Sequence, residues 1–455
     1  MLGNDQELLF MEKQKSKMTK EQKREQRLQR WLSPLGVTFR DARAEQAYKE
    51  RVTRFTKAFL CMEPDRVPVM VPAGNFPIRY SGLSLKQLMY DPTLIRPTWT
   101  KFMNDFYDDM DDFLGPAGIS CGRMFDILDY KSFKWPGHGL PEDAEYQQYV
   151  ETILMHEDEY DALLKDPSDF GFRVLTPRVV GALEVLKDFP PLSSLMGMPI
   201  ILAYPFARPE VRTAFQKLIE AGEELEKFQV QLMTVNRDAI AAGFPMSMGG
   251  LALAPFDMIA DHLRGTQGSA IDMYRHPEKL LEATDMILEQ MIQRTIDSVN
   301  RMGVFTVNFP LHKGDDTFMS SKQFEKFYWP SLKKLIQALI DEGIMVSLFC
   351  EGRYNNRLEY IGDFPKGWVT WQFDQTDMAN AKRIIGNNCC IVGNVPSSLL
   401  AFGTVKDVKE YCRKLIETCA PGGGYVLTGG TAVTEAKPEN LRAFMEAARE
   451  YGVYH

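Results

Sequence analysis

Short apolar runs alternate with long amphipathic stretches along most of the chain beyond residue 62. The runs that we predict to be strands are 66–71, 244–253, 304–309, 344–349, 367–373, 389–395 and 425–427. Residues 321–342 and 405–419 have helical periodicity, and Thr404 is the predicted N-cap of the second helix. This alternation is typical of βα units on a parallel sheet, either a closed (β/α)8 barrel or an open doubly wound sheet.

Two regions depart from this alternation. Residues 11–30 are charged, mostly basic and free of Gly and Pro, which predicts a solvated helix or arm, with a membrane-binding or partner-binding helix as the alternative. Residues 114–199 have the pattern of a long insertion with its own hairpin and helices, and such insertions usually lie at the C-terminal mouth of a barrel. We therefore predict an N-terminal helical extension (1–62) followed by an α/β unit (63–455).

Composition narrows the class of protein. A formal net charge of -8 and a pI near 5.5 argue against a nucleic-acid partner, which would require a basic face. We expect no membrane segment, because no apolar run reaches the ~20 residues that span a bilayer, and the N-terminus lacks a secretory pattern. Seven scattered cysteines, an odd number, indicate reduced thiols and a cytoplasmic protein.

Several phrases, in order along the chain, resemble the uroporphyrinogen decarboxylase superfamily. They are PDRVPVMVPAG from Pro64, FDILDY from Phe125, GGLALAPFDMIADHLRG from Gly249, FMSSKQFEKFYWPSLKKLI from Phe318, CIVGNVPSSLL from Cys390 and GGGYVLTGG from Gly422. The resemblance extends over nearly all of residues 64–451. It implies a TIM (β/α)8 barrel, often paired as a homodimer, that acts either as a decarboxylase or as a methyltransferase using a corrinoid.

The resemblance to the decarboxylase branch is incomplete at its functional positions. The family's arginine-rich first loop, which holds porphyrinogen carboxylates, is replaced here by VPAGN at residues 71–75. The family's pyrrole-binding aspartate is matched by Asp126, but its tyrosine falls on Asp261 and its last histidine falls near Gly430. An apolar first loop suits a neutral or aromatic substrate better than a polyanion.

The resemblance to the thiol-methylating branch is incomplete as well. That branch carries a His-x-Cys zinc pattern after strand five and a later cysteine, whereas this chain has Phe349, Glu351 and Gly430 there. The remaining branch implies transfer of a methyl group from a methoxylated, aromatic substrate to the Co(I) corrinoid of a separate corrinoid protein. One alternative is a decarboxylase or lyase of a smaller substrate with Asp126 as charge stabiliser, and the other is a non-catalytic binding protein on the same scaffold.

Demethylation of an aryl ether needs a general acid or Lewis acid beside the ether oxygen, because a phenolate is a poor leaving group. On a barrel such groups belong at C-terminal strand ends, where His312 and Glu351 lie, so we predict these two as catalytic. The resemblance adds Asp126 as a third catalytic candidate, because it keeps the position of the family's aspartate. The predicted substrate-binding residues are Asn75, Asp315, Arg353, Asp374 and Asn394.

Structural roles remain open for several of these residues. His312 also fits a surface loop, Asp315 or Asp316 fits a turn cap, and Arg353 fits a surface ion pair. The sequence leaves the metal content open. If zinc is a cofactor, the candidate ligands are His312, Glu351 and Asp315, because imidazole and carboxylate oxygen are donors that zinc accepts.

Overall fold

The computed structural model describes residues 18–247 and 249–454. Its strands are β1 (Phe133–Pro136), β2 (Gly139–Leu140), β3 (Gln148–Tyr149), β4 (Gly250–Leu251), β5 (Thr306–Leu311), β6 (Met345–Cys350), β7 (Val369–Phe373), β8 (Cys390–Val392) and β9 (Tyr425–Val426). Strands β4 to β9 form one six-stranded sheet in chain order, and every neighbouring pair is parallel. The architecture is therefore α/β with a parallel sheet.

The strands from β5 onward lie within a few residues of the predicted apolar runs. The runs 66–71 and 244–253 are only partly confirmed, because the first makes isolated bridges and the second shortens to β4. Pro68 cannot donate a ladder hydrogen bond, which limits regular pairing of the first run. That run still lies beside the last strand, since Met70 N donates to Leu427 O at 2.9 Å.

Helices fill the connections between the strands. The α-helices are Lys20–Leu32, Ala42–Phe59, Phe76–Tyr80, Leu85–Tyr90, Ile95–Asp105, Gly122–Leu128, Tyr160–Lys165, Pro167–Asp169, Thr176–Val179, Pro209–Ala241, Pro255–Ile259, Gly265–Arg275, Pro277–Met302, Ser321–Gln323, Trp329–Asp341, Leu358–Ile361, Met378–Ile385, Ser397–Phe402, Val405–Cys419 and Pro438–Tyr451. Short 3-10 helices are Pro92–Leu94, Gly181–Asp188, Leu192–Met196, Pro199–Ala207 and Asn355–Arg357, and π-helical turns are Phe170–Leu175, Ala260–Arg264 and Phe324–Tyr328.

Helix Val405–Cys419 has the bounds and the N-cap that the sequence predicted. Thr404 Oγ1 accepts from Asp407 N at 3.2 Å, and the Asp407 side chain accepts from Thr404 N at 3.1 Å, which completes a capping box. The predicted helix over 321–342 is also present, but a π-helical turn at Phe324–Tyr328 interrupts it.

The basic N-terminal stretch is not a solvated arm where the structure describes it, although its residues 11–17 lie outside the described part. Helix Lys20–Leu32 packs against the amino edge of the sheet: Trp31 stacks on Phe305 with ring centroids 4.0 Å apart, just before β5. Arg24 donates to Gly367 O at 2.9 Å, just before β7. The apolar face is thus covered by the chain itself, and the long basic side chains lie along the surface of the α/β unit.

The insertion region carries a three-stranded sheet in which β1 pairs with β3 in antiparallel orientation. A small separate apolar core stabilises its helices, formed by Leu183, Leu186, Phe189, Val211 and Ala214. The domain boundaries at residues 62 and 63 stay a prediction.

Two expectations from composition bear on the described residues. All seven cysteines are buried free thiols, as expected for reduced side chains. Among residues 18–247 and 249–454, no helix combines the length and the apolar character that crossing a bilayer requires.

Candidate active site

Three of the predicted site residues stand side by side at the carboxyl edge of the sheet. Strand register pairs Leu311 with Cys350 and Cys350 with Phe373, so the next residues along the chain are His312, Glu351 and Asp374. Side chains alternate between the two faces of a sheet along each strand. His312, Glu351 and Asp374 therefore lie on the same face as the residue two positions before them in β5, β6 and β7. The structure therefore brings these three predicted residues together at one edge of the sheet, and their roles stay predictions.

His312 is held by a carboxylate from the preceding βα connection. Its Nδ1 lies 2.5 Å from Asp261 Oδ2, and Lys313 Nζ lies 3.3 Å from Asp261 Oδ1. Burial works against a charged ring, but the Asp261 hydrogen bond and the nearby negative charges outweigh it and raise the pKa of His312 to about 9. Burial also disfavours ionised Asp261, yet His312 and Lys313 outweigh it and lower the Asp261 pKa.

Asp257 fixes the backbone on which His312 stands. The fully buried carboxylate accepts from His312 N at 3.0 Å, from Lys313 N at 3.1 Å and from the Tyr328 hydroxyl at 2.8 Å. Burial, with the negative charge of Asp261 added, raises the pKa of Asp257 to about 7. The loop that carries His312 is therefore anchored at two successive peptide groups.

Sequence reasoning missed Asp257 altogether and treated Asp261 only as the replacement for a family tyrosine. Asp257 is on helix Pro255–Ile259 and Asp261 is on the π-helical turn Ala260–Arg264 that follows. The available signal was the spacing itself, since residues four apart on a helix lie on one face. Asp257 and Asp261 follow β4 with this spacing, which predicts that both carboxylates bind the same neighbouring residue at the carboxyl edge of the sheet.

Glu351 faces the free nitrogen of His312. Its Oε1 lies 3.7 Å from His312 Nε2, and 47% of the Glu351 side chain is exposed. Partial burial and the negative charges of Asp261 and Asp374 raise the Glu351 pKa, although His312 opposes this. Partial burial likewise raises the pKa of Asp374, whose carboxylate accepts from Gly352 N at 3.4 Å.

Asn394 supports the rim of the site. Its side-chain nitrogen donates to the main-chain oxygens of Asp374 at 3.0 Å and Thr376 at 2.9 Å, and the residue is buried. These contacts hold the rim of the site together, and the predicted substrate-binding role of Asn394 stays a prediction.

Asp315 lies in the same loop as His312 but serves its own turn. The Asp315 carboxylate accepts from Thr317 N at 2.8 Å and from Phe318 N at 2.6 Å, which is the capping role that the sequence left open. His312, Glu351 and Asp315 are not among the described groups whose ligand atoms converge on one point, so the proposed zinc set is not assembled in this geometry. The group that does converge is Glu157, Asp272 and His276, where Arg264 and Tyr160 already engage Asp272.

Among the described residues, no hydrogen bond or ion pair joins His312 to Arg353, Asn75 or Asp126. Arg353 is exposed, and the Asn75 side chain donates to Glu145 O at 2.9 Å while its own oxygen is buried without a partner. The Asp126 carboxylate lies 3.5 Å from His138 Nε2, and the same nitrogen lies 3.1 Å from the Tyr90 hydroxyl. Asp126 thus joins a cluster on the insertion side, and its predicted catalytic role stays a prediction.

The insertion reaches the His312 site through β3 and the residues after it. The Tyr149 hydroxyl donates to Asp261 O at 2.7 Å, and Lys313 Nζ lies 3.6 Å from Glu151 Oε2. Glu151 also accepts from Thr266 N, at the start of helix Gly265–Arg275. The insertion therefore lies beside the carboxyl edge of the sheet, where the sequence predicted it.

Comparison with known proteins identifies the family. The model of the family described as uroporphyrinogen decarboxylase (URO-D) matches residues 187–451, more than half of the chain. The chain belongs to the uroporphyrinogen decarboxylase family. Its relatives include uroporphyrinogen decarboxylase of Danio rerio, 24% identical over 361 residues that cover 72% of this chain and 91% of the relative. The uroporphyrinogen decarboxylase of Photorhabdus laumondii is 21% identical over 268 residues, which cover 55% of this chain and 71% of the relative.

Among solved structures, a methyltransferase from Methanosarcina mazei superposes with a TM-score of 0.56 at 16% sequence identity. The match covers 89% of this chain and 98% of that one, which shows a shared fold. Within the uroporphyrinogen decarboxylase family, then, this member has an Asp261–His312–Glu351 constellation at its carboxyl edge, defined here as the acid–base row.

Proposed function

We propose that this member of the uroporphyrinogen decarboxylase family is a methyltransferase on a closed (β/α)8 barrel. It moves a methyl group from a methoxylated aromatic substrate to the Co(I) corrinoid of a separate protein, which amounts to O-demethylation. The observation that carries the proposal is the acid–base row: His312 has one nitrogen held by Asp261 at 2.5 Å and presents the other toward Glu351. This is the arrangement of a general acid on a strand end.

The leaving group determines what the protein must supply. When the bond between methyl carbon and ether oxygen breaks, the electron pair stays on oxygen, and a proton from His312 Nε2 converts the phenolate into a phenol. With its pKa near 9, His312 holds that proton at neutral pH, and Asp261 stabilises the cation until transfer. Glu351, 3.7 Å away and half exposed, is positioned to return a proton from solvent to Nε2.

The corrinoid, carried by the partner protein, supplies the Co(I) nucleophile that accepts the methyl group. The chain's own residues orient the ether oxygen toward His312 and leave the carboxyl edge accessible to a partner, as the 47% exposure of Glu351 indicates. The methyltransferase from Methanosarcina mazei supports the proposal in that its fold is the same as that of this chain.

The decarboxylase alternative has less support from the described residues, although the relatives named above are decarboxylases. A substrate with many carboxylates needs free cations, and in place of the family's first-loop arginines this chain offers Arg123, Arg353 and Lys313. Lys313 is engaged by Asp261 and Glu151, and Arg123 lies on an exposed helix face 4.0 Å from Glu224. Arg353 alone among them lacks an ion pair in the described part of the chain.

The first test offers a panel of methoxyphenols and a reduced corrinoid protein to the purified chain. The proposal predicts loss of the Co(I) absorbance together with release of the demethylated phenol. Release of CO2 from carboxylated substrates without any methyl transfer would instead establish the decarboxylase alternative.

The second test isolates the role of His312. His312→Gln is expected to slow transfer strongly from an unactivated methoxyphenol but only weakly from a nitrophenyl methyl ether, whose phenolate leaves without protonation. His156→Gln, at an exposed histidine of the insertion, is the matched control and should affect neither donor. Equal losses with both donors for His312→Gln would contradict the general-acid role.

A further inference from the structure

A series of charges of alternating sign connects the insertion with the acid–base row. Glu151 Oε2 lies 3.6 Å from Lys313 Nζ, which in turn lies 3.3 Å from Asp261 Oδ1. Asp261 Oδ2 lies 2.5 Å from His312 Nδ1, and His312 Nε2 lies 3.7 Å from Glu351 Oε1. The insertion therefore contributes the first charge, Glu151, to a series that ends at the strand end of Glu351.

Glu151 is held in place by a second contact besides Lys313. Its carboxylate accepts a hydrogen bond from Thr266 N at the start of helix Gly265–Arg275, and the amino end of a helix favours an anion. Burial disfavours the ionised form, but the contacts with Thr266 and Lys313 outweigh it and lower the pKa of Glu151. Glu151 is therefore a negative charge at neutral pH.

The insertion also holds the backbone of Asp261. The hydroxyl of Tyr149, two residues before Glu151, donates to Asp261 O at 2.7 Å, and its oxygen lies 3.3 Å from His262 Nδ1. The π-helical turn that carries Asp261 is thus tied to the same segment of the insertion that carries Glu151.

Lys313 is shared between two carboxylates, Glu151 and Asp261. Only 13% of its side chain is exposed, so water offers the ammonium group little alternative pairing. An ammonium group that paired with Asp261 alone would oppose the positive charge of His312 at the same carboxylate. Because Glu151 offsets part of the Lys313 charge, more of the attraction of Asp261 acts on His312.

We propose that Glu151 is a positioning residue for the general acid: its pairing with Lys313 leaves the Asp261 charge to His312, which then keeps its proton until the ether bond breaks. This inference rests on the proposed function and adds a residue of the insertion to that site. The charged and titratable groups around His312 are Asp257, Asp261, His262, Lys313 and Glu351, with Glu151 beyond Lys313.

The test is an NMR titration of His312 in Glu151→Gln, without substrate or corrinoid protein. The glutamine carbonyl can still accept from Thr266 N, so this variant removes the charge and keeps that contact. We expect the His312 pKa to fall by roughly half a unit. Above that pKa the rate of methyl transfer should then fall about threefold, whereas below pH 7 it should change little.

A control and a second background make the test specific. Glu142→Gln, at an insertion carboxylate paired with Lys86, should leave the His312 titration unchanged. In Lys313→Met the intermediate cation is absent, so adding Glu151→Gln should shift the His312 pKa by less than about half as much as in the unmodified chain.

Two results would overturn the proposal. One is an unaltered His312 pKa in Glu151→Gln, and the other is an equal shift with and without Lys313. Because the titration uses neither substrate nor corrinoid protein, its failure leaves the proposed function intact. The expected shifts without any methyl transfer would instead contradict the proposed function alone.

Discussion

Replacing Asp261 by asparagine tests whether this carboxylate charges His312. The pKa of His312 is raised to about 9 from an ordinary 6.5, and the Asp261 hydrogen bond is the largest of the contributions that raise it. The difference corresponds to on the order of 3 kcal/mol of added affinity for the proton. In Asp261→Asn the amide retains the shape but loses the charge, so the His312 pKa should fall toward its ordinary value.

The expected loss of activity in Asp261→Asn follows from the fraction of His312 that is protonated. At pH 8 a histidine of pKa about 9 is about nine-tenths protonated, whereas one at 6.5 is about 3% protonated, a difference of roughly 30-fold. Asp257 and Glu351 keep part of the elevation, so roughly 30-fold is the upper limit for the loss at that pH. Below pH 6 the general-acid contribution should be nearly the same in both proteins.

The same shift has a signature in stability. Folded His312 binds its proton more tightly than the unfolded chain does, so this contribution is fully present below pH 6.5 and is lost as pH rises through about 9. In Asp261→Asn the loss should be smaller and should occur at lower pH. Urea denaturation across this pH range measures it.

The direct assay is a histidine-specific NMR titration, with the His312 signal assigned by its disappearance in His312→Gln. Asp363→Asn, at an exposed aspartate paired with Lys333, is the control and should leave the titration unchanged. An unaltered His312 pKa in Asp261→Asn would refute the assignment of Asp261 as the group that charges the ring.

Three further predictions concern packing, capping and positioning. Trp31→Ala should destabilise the chain by about 3 kcal/mol in urea denaturation, because it removes the ring stacked on Phe305, whereas Leu35→Ala at an exposed site should change little; a loss for Trp31→Ala as small as the control would show that the N-terminal helix is not docked. Thr404→Ala should cost about 1 kcal/mol by removing the capping box, and no loss would mean that the box is not formed in solution. Asp257→Asn should lower kcat by about tenfold or more with KM nearly unchanged, since it disturbs the peptide groups of His312 and Lys313, and a change in KM alone would argue against this positioning role.

The strands from β5 onward were predictable because strands of a parallel sheet are buried on both faces and appear as continuous apolar runs. The first run was less predictable, since Pro68 limits regular pairing and the run makes only isolated bridges, Val69 with Leu427 and Arg66 with Val453. The N-terminal helix was misjudged because its charges conceal a buried face: Lys23, Arg27, Leu28 and Trp31 are all buried there.

The candidate site also contains residues whose positions the sequence could predict and residues whose positions it could not. His312, Glu351 and Asp374 follow strand ends, and their adjacency depends only on strand order and register, which chain order in a parallel sheet largely determines. Asp257 and Asp261, the partners of His312, come from a helix and a π-helical turn more than 50 residues earlier in the chain, so this pairing depends on tertiary packing. The Asp315 carboxylate has suitable chemistry for a metal ligand. Its hydrogen bonds are made within its own turn, however, which costs less conformational entropy than pairing with a distant residue would.

In the proposed reaction the methoxyl carbon leaves its substrate for a corrinoid. The measurement that tests it most directly uses 2-methoxyphenol labelled with 13C in the methoxyl group, a reduced corrinoid protein and this chain in one single-turnover reaction. The account predicts that the label moves to the corrinoid protein while an equal amount of unlabelled catechol is released, and that His312→Gln slows both together. Label that stays on the ring, with the chain folded and the corrinoid reduced, would contradict it.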